Sequence, residues 1–335
     1  MAPRLNLIAI GDATKDVFVN IKEAKLSCVL DTDICQLCLN YADKIPVESV
    51  VQIPAAGNAA NAAIGTCRLG HHSALVTVLG DDLEGKMLYK ALACTHINRK
   101  YISFDKTCGT NYSTILNYQG ERTILLYHQP RKYHFPKNLP SAQWVYYTSI
   151  GKGHQAYEKD LLKYLTVHHK TKLLFNPGTH QLRRGAKSLS RVLKRSEILI
   201  INKEEGMLLL EESESHPIPS LLKRLARLGP KIVVITDGGK GSWAFDGDAV
   251  WFIPIFPGAA KERTGAGDAY GSGFVNALIA DKDIPEAMRW GNAESWNVVR
   301  YVGPQEGLLC RDHLHKILKR FSSIKAKMVD LSEKT

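Results

Sequence analysis

The sequence predicts an α/β protein with a mostly parallel central sheet, helices on both faces, and a small extra layer of strands. Three observations lead there. Short apolar runs alternate with helix-length stretches through the first two thirds of the 335 residues, which is the pattern of βαβ units. Most of these runs are nearly continuous rather than alternating, as strands buried on both faces require. Two other stretches alternate polar and apolar residues, so they read as half-exposed strands outside the main sheet. Hydrophobic residues make up 44% and charged residues 23%, an ordinary globular balance that allows a substantial core. With no internal repeat and no long low-complexity linker, a single domain over 1–335 is expected.

The buried strands are LNLIAIG (5–11), SALVTVLG (73–80), QWVYYTSI (143–150), KLLFNPG (172–178), EILIINKEE (197–205) and KIVVITDGG (231–239). Each is bounded by Gly, Asn, Asp or Pro, and several are rich in β-branched residues. Between them lie helical patterns at 58–69, 84–94, 155–168, 182–194, 204–211 and 218–228. After VWFIPIF (250–256) helices dominate, at 266–280, 284–301 and 311–328. The two exceptions fall within about 13–56 and 107–130. The first holds DVFVNIKEA and VESVVQIP. The second, CGTNYSTILNYQGERTILLYH, reads as a hairpin turning at Gln119-Gly120-Glu121. Together they predict a small lid. The segment 24–44 fits no motif.

No apolar run is long enough to span a bilayer, and the N-terminus reads as a first strand rather than a signal peptide. A cytoplasmic protein without a membrane partner is expected. Seven Cys are scattered, and Cys35-x-x-Cys38 has no second pair at zinc spacing. They read as reduced thiols, with no metal site. The net charge of +11 suits nucleic acid or an anionic small substrate. The basic clusters 183–195 and 315–327 have the apolar spacing of solvated helix faces and carry no interleaved aromatics, so no nucleic-acid partner is expected.

The densest chemistry is ERTGAGDAYGSGF (262–274). A Gly-rich turn into a helix exposes backbone N–H groups at the positive end of the helix dipole. Gly265, Ala266 and Gly267 can thus cradle an oxyanion or phosphoryl group. Asp268 behind them suits a general base taking a proton from an attacking hydroxyl; a helix N-cap is the bland alternative. In AAGNAANAAIGTCRLG (55–70), Gly57, Asn58 and Asn61 open an Ala-rich helix, and the Asn amides can meet hydroxyls. Asn202 and Glu205, three apart after a strand, suit Mg²⁺ through its waters or a capping box. Thr236, Gly238, Gly239 and Gly241 form a Gly-rich turn open to a phosphate or to a plain hairpin. Asp16 can chelate two vicinal sugar hydroxyls or sit in an ordinary loop. No Walker A pattern and no G-x-G-x-x-G after the first strand is present.

In this order the motifs resemble the ribokinase-like (PfkB) carbohydrate kinase family. The resemblance runs from Gly11-x-x-x-x-Asp16 through the Gly57–Gly70 helix, GDDLEG (80–85), GERT (120–123), Asn202-x-x-Glu205 and Thr236-x-Gly-x-x-Gly241 to TGAGD. It implies a three-layer αβα domain with a β-sheet lid, moving the γ-phosphoryl of ATP to a hydroxyl of a small sugar or nucleoside; a non-catalytic sugar-binding member of the same fold is the alternative. Asp268 would be the base and the N–H groups of Gly265, Ala266 and Gly267 the anion hole. Asp16, Gly57, Asn58 and Asn61 would hold the acceptor. Asn202, Thr236, Gly238, Gly239, Gly241 and Asn292 would face the nucleotide, with Glu205 at Mg²⁺. The Gly/Ala-Asn motif lacks the lysine of members taking phosphorylated sugars, so an unphosphorylated acceptor, ribose- or fructose-like or a nucleoside, is implied. The resemblance also implies a homodimer through the lid.

This chain departs from the family's D-T-x-G-A-G-D. Glu262 stands at the first Asp, which in some members supports a monovalent-cation loop. It keeps the charge on a longer arm and makes K⁺ an open expectation. Arg263 either adds a cation near the phosphates or points to solvent. Arg122, Tyr127, His128 and Arg131 either contact a larger or acidic acceptor or lie on the surface.

Overall fold

The computed structural model describes residues 4–28, 35–212 and 216–330. The chain runs β1 (Leu5–Ile10), β2 (Thr14–Ile21), β3 (Lys25–Cys28), β4 (Cys35–Cys38), β5 (Val47–Ala56), α1 (Asn58–Arg68), β6 (Ser73–Gly80), α2 (Leu83–Ala91), β7 (Ile102–Asp105), β8 (Asn111–Tyr118) and β9 (Glu121–Tyr127). It continues with β10 (Ala142–Tyr147), α3 (Gln155–Val167), β11 (Lys172–Phe175), α4 (Thr179–Leu182), α5 (Gly185–Arg195), β12 (Ile198–Asn202), α6 (Lys203–Leu209), α7 (Ile218–Ala226) and β13 (Ile232–Thr236). The last part holds β14 (Ser242–Phe245), β15 (Val250–Ile253), α8 (Ala266–Ile279), α9 (Ile284–Val298), α10 (Arg311–Arg320) and β16 (Lys327–Met328).

Ten strands form the main sheet in the order β16-β15-β14-β13-β12-β11-β10-β1-β6-β7. The pairs from β7 to β13 are parallel, and β14 to β16 close the far edge antiparallel. Strand residues alternate between the two faces. Leu7 and Ala9 enter one core with α1, α8, α9 and α10, while Ile8 and Ile10 enter a second core with α3, α5 and α7. The three-layer α/β architecture predicted from sequence is therefore the observed one, with the parallel strands pointing their carboxyl ends at the motifs.

The lid is a separate four-stranded sheet, β5-β2-β8-β9. Its hairpin turns through two residues, Gln119 and Gly120, both with positive φ (51° and 83°), the primed turn that matches strand twist. Glu121 already belongs to β9. Arg131 anchors the chain leaving the lid: its guanidinium donates to Val78 O and Gly109 O (both 2.7 Å) and to Asn111 Oδ1 (2.8 Å). It is a buried brace, not a surface residue.

Two expectations need correction, and one strand was not anticipated. The pattern at 311–328 is not one helix: α10 stops at Arg320, where Phe321 packs on Phe256 and Trp296 (ring centroids 4.6 and 5.1 Å). Arg289 then takes Leu318 O and Ile324 O, and β16 joins the sheet. β7 carries no long apolar run, because it is a four-residue edge strand exposed at Ser103 and Phe104. The cysteines are not all thiols: Cys28 and Cys35 face each other across the β3–β4 hairpin with Cα atoms 4.0 Å apart and are disulfide-bonded. Residues 29–34 of the 24–44 segment lie outside the described residues. Among the described residues no helix is long and apolar enough to cross a membrane.

Candidate active site

β2 and α1 carry the residues expected to meet the acceptor. Gly57 caps α1 with φ 97°, and a Cβ there would sit 2.7 Å from Asp12 O. Only glycine lets the helix start so close to the turn after β1. Asn58 follows, half-buried, at the first helical position. One turn on, Asn61 is buried and donates from Nδ2 to Asp268 Oδ2 at 2.8 Å. Asp16 lies on β2, buried, and accepts from Thr14 Oγ1 at 2.7 Å. Burial holds its carboxyl above the usual range, against hydrogen bonds from Thr14 and Ser113.

Asp268 stands in the first turn of α8. Gly265, the N-cap, has φ 80°, and its α-carbon faces Pro304 so closely that any Cβ would overlap that ring. Ala266 begins the helix. A Cβ at Gly267 would meet nothing within 4 Å, so the backbone there borders open space that a phosphoryl group can enter. Desolvation by the surrounding protein pushes the Asp268 carboxyl up to about 7, with the Asn61 hydrogen bond pulling it down and the charges of Asp16 and Glu205 pushing it up. Arg122 of the lid pulls it down electrostatically. The site thus brings together Asp16, Asn61, Glu205 and Asp268, which are far apart in sequence.

Register brings together the residues expected to face the nucleotide. Asn202 ends β12, Thr236 ends β13, and the two are paired across the sheet. Asn202 and Glu205 form a capping box: Glu205 N donates to Asn202 Oδ1 (2.7 Å) and Asn202 N to Glu205 Oε2 (2.9 Å). Burial and the neighbouring Glu204 raise the Glu205 carboxyl despite this bond. Gly238 and Gly239 would carry a Cβ into open space, and Gly241 turns the chain into β14 with φ 106°. Ser242 ties this turn to α8 through its hydroxyl, 2.8 Å from Tyr270 Oη. Asn292 is buried, with Nδ2 on Pro254 O at 2.8 Å and Oδ1 accepting from Phe256 N at 3.4 Å. Its amide brackets the chain leaving β15 rather than standing open.

Glu262 is buried, its Oε1 accepting from Thr264 N at 2.6 Å and its Oε2 buried without a partner. A carboxylate oxygen placed so fits a cation. Arg263 is exposed and pairs with Glu121 at the tip of the lid hairpin, 2.9 Å away. Sequence reasoning missed Gln305, whose Nε2 donates to Ala55 O and to Asn61 Oδ1, the latter at 2.8 Å. No periodicity or motif marks it in GPQEG.

Residues 23–309 match the family profile described as pfkB family carbohydrate kinase. An uncharacterized sugar kinase of Archaeoglobus fulgidus is 30% identical over 134 residues, 40% of this chain and 52% of that protein. A nucleoside kinase of Methanocaldococcus jannaschii is 25% identical over 312 residues, 89% of this chain and 98% of its own. Among solved structures, an Arabidopsis thaliana ribokinase complexed with ribose and ATP superposes with a TM-score of 0.77 at 21% identity, covering 95% of this chain and 99% of that one. The fold is ribokinase-like, and the chain belongs to the pfkB family of carbohydrate kinases.

Proposed function

We propose that this protein transfers the γ-phosphoryl group of ATP to a hydroxyl of a small unphosphorylated sugar. The observation that carries the reading is Asp268. It stands at an open helix N-terminus, is held by Asn61 beside Asp16, and has a carboxyl lifted to about 7, near the working pH a general base needs. The acceptor hydroxyl gives its proton to Asp268 as its oxygen forms the new bond to phosphorus. The bond from the γ-phosphorus to the bridging oxygen breaks, and that oxygen leaves with ADP. N–H groups of 265–267 would stabilise charge on the transferring group. Asp16, Gly57, Asn58 and Asn61 would orient the acceptor. Thr236 and the 238–241 turn would meet the nucleotide, with Asn202 beside them.

Mg²⁺, when bound with ATP, supplies charge neutralisation at the phosphates; Glu205 and Asn202 would hold it through water. The unpartnered Glu262 Oε2 would bear on a monovalent cation such as K⁺. The +11 charge would steer anionic ATP inward, and no nucleic-acid partner belongs to this reading. A cytoplasmic location belongs to this reading, since ATP is available there. The lid would also carry a homodimer contact. A nucleoside acceptor is the second reading, favoured by the near full-length similarity to a nucleoside kinase.

Asp268→Asn is expected to abolish phosphoryl transfer while ATP binding, measured by calorimetry, persists. Near-normal turnover would remove Asp268 as the base. A screen of ATP consumption over sugars, sugar acids and nucleosides, with and without K⁺, separates the two acceptor classes and tests Glu262.

A further inference from the structure

We infer that Gln305 is a positioning residue for the base: it fixes the orientation of the Asn61 amide and so holds the Asn61 NH₂ group on Asp268. The inference deepens the proposed function and rests on Asp268 being the base. Its physical core is donor counting along a chain of two amides. A primary amide has two N–H donors on one side and a carbonyl acceptor on the other. Gln305 Nε2 has acceptors for both protons, Ala55 O and Asn61 Oδ1. Ala55 O is a backbone carbonyl and can only accept. Turning the Gln305 amide over would set its own oxygen against that carbonyl, so its orientation is fixed.

That orientation passes to Asn61. With Gln305 donating to Asn61 Oδ1 at 2.8 Å, the Asn61 Nδ2 group faces Asp268 Oδ2, also at 2.8 Å. Asn61 is itself buried, so a flipped amide would find no water to replace these bonds. Flipped, it would point Oδ1 at the carboxylate, exchanging a favourable bond for a repulsive contact. Gln305 is held from behind: Arg68 Nη1 donates to Gln305 O at 2.7 Å and to Leu308 O at 2.9 Å. Its neighbour Pro304 packs on Gly265. One short loop thus braces both the anion turn and the base.

The Asn61 bond favours the ionised form of Asp268. Activity that needs the ionised base is present above its pKa and lost as pH falls through it. Without Gln305, the Asn61 amide is released to rotate and the acid limb moves to higher pH. Gln305→Leu removes the donors without adding charge. Gln305→Glu is isosteric but can only accept, so it draws the Asn61 NH₂ group away from Asp268.

The test is the pH profile of kcat/KM for whichever acceptor the screen identifies, in wild type, Gln305→Leu and Gln305→Glu. The acid limb should shift up by about one unit in the Leu variant and further in the Glu variant, with activity recovering at high pH. Unshifted limbs in folded variants overturn the inference while leaving Asp268→Asn inactive. Active Asp268→Asn instead overturns the base assignment itself. A measurement on wild type needs no variant to fold: the side-chain amide ¹⁵N–¹H signals of Asn61 and Gln305 should both titrate with the ¹³C signal of the Asp268 carboxyl. Amide signals indifferent to that titration would show that no relay exists.

Discussion

With Asp268 as the proposed base, function and stability conflict on one side chain. Its carboxyl titrates near 7 in the folded protein and near 3.9 when unfolded. The folded state therefore binds the proton more tightly, and this group's contribution to stability declines as pH rises between the two values. Above pH 7 the ionised base costs the fold a few kcal/mol at most. Asparagine cannot ionise and can still accept from Asn61. Asp268→Asn should therefore unfold at a higher temperature than wild type at pH 8, by several degrees at about 2–4 °C per kcal/mol. The gap should shrink as pH is lowered towards 4. Equal melting temperatures at pH 8, followed by circular dichroism, would mean that the carboxylate is not strained by its surroundings. The same residue was legible in sequence because TGAGD couples a donor-rich turn to a carboxylate. Gln305 was not, since its role depends on a contact 244 residues away that no local pattern encodes.

Between elements, the ion pair Arg263–Glu121 links the loop before α8 to the tip of the β8–β9 hairpin. Both side chains are more than half exposed, so the pair contributes little to global stability, on the order of 0.2–1 kcal/mol. Its leverage is on lid position, because the next residue, Arg122, bears on Asp268. Glu121→Ala and Arg263→Ala should each raise the acceptor KM by up to about fivefold at low salt, with the double variant no worse than either single one. Salt near 1 M should erase most of the difference, since exposed charges are screened. Effects that simply add in the double-mutant cycle would mean that the pair does not govern the lid. The lid hairpin itself was readable from alternation around Gln119-Gly120. The ion pair was not: GERT and ERTGAGD are separate motifs, and only the fold sets them 2.9 Å apart.

At the scale of the whole molecule, the parallel half of the sheet was readable because strands buried on both faces leave unbroken apolar runs, as in LNLIAI and ILII. β7 and β16 were not, since short, partly exposed strands leave no such run. The lid also carries an exposed apolar surface. β9 is an edge strand with Ile124, Leu125, Leu126 and Tyr127 at 39%, 54%, 62% and 59% exposure. A long apolar edge with unpaired backbone groups is an aggregation hazard unless something covers it. On β5, the opposite edge, Val47 and Val50 are also exposed. A second copy of the chain would cover these residues and steady the lid over the acceptor. Register separates this role from catalysis: Asp16, Ser113 and Leu126 share one face of the lid, while Val17, Thr114 and Leu125 share the other. Leu125→Glu therefore charges the edge without touching the Asp16 face. Sedimentation velocity should show wild type at twice the 37.2 kDa chain mass and Leu125→Glu at one chain mass at the same micromolar concentration. A wild-type protein sedimenting as a monomer across that range would leave β9 to some other cover and remove the lid dimer.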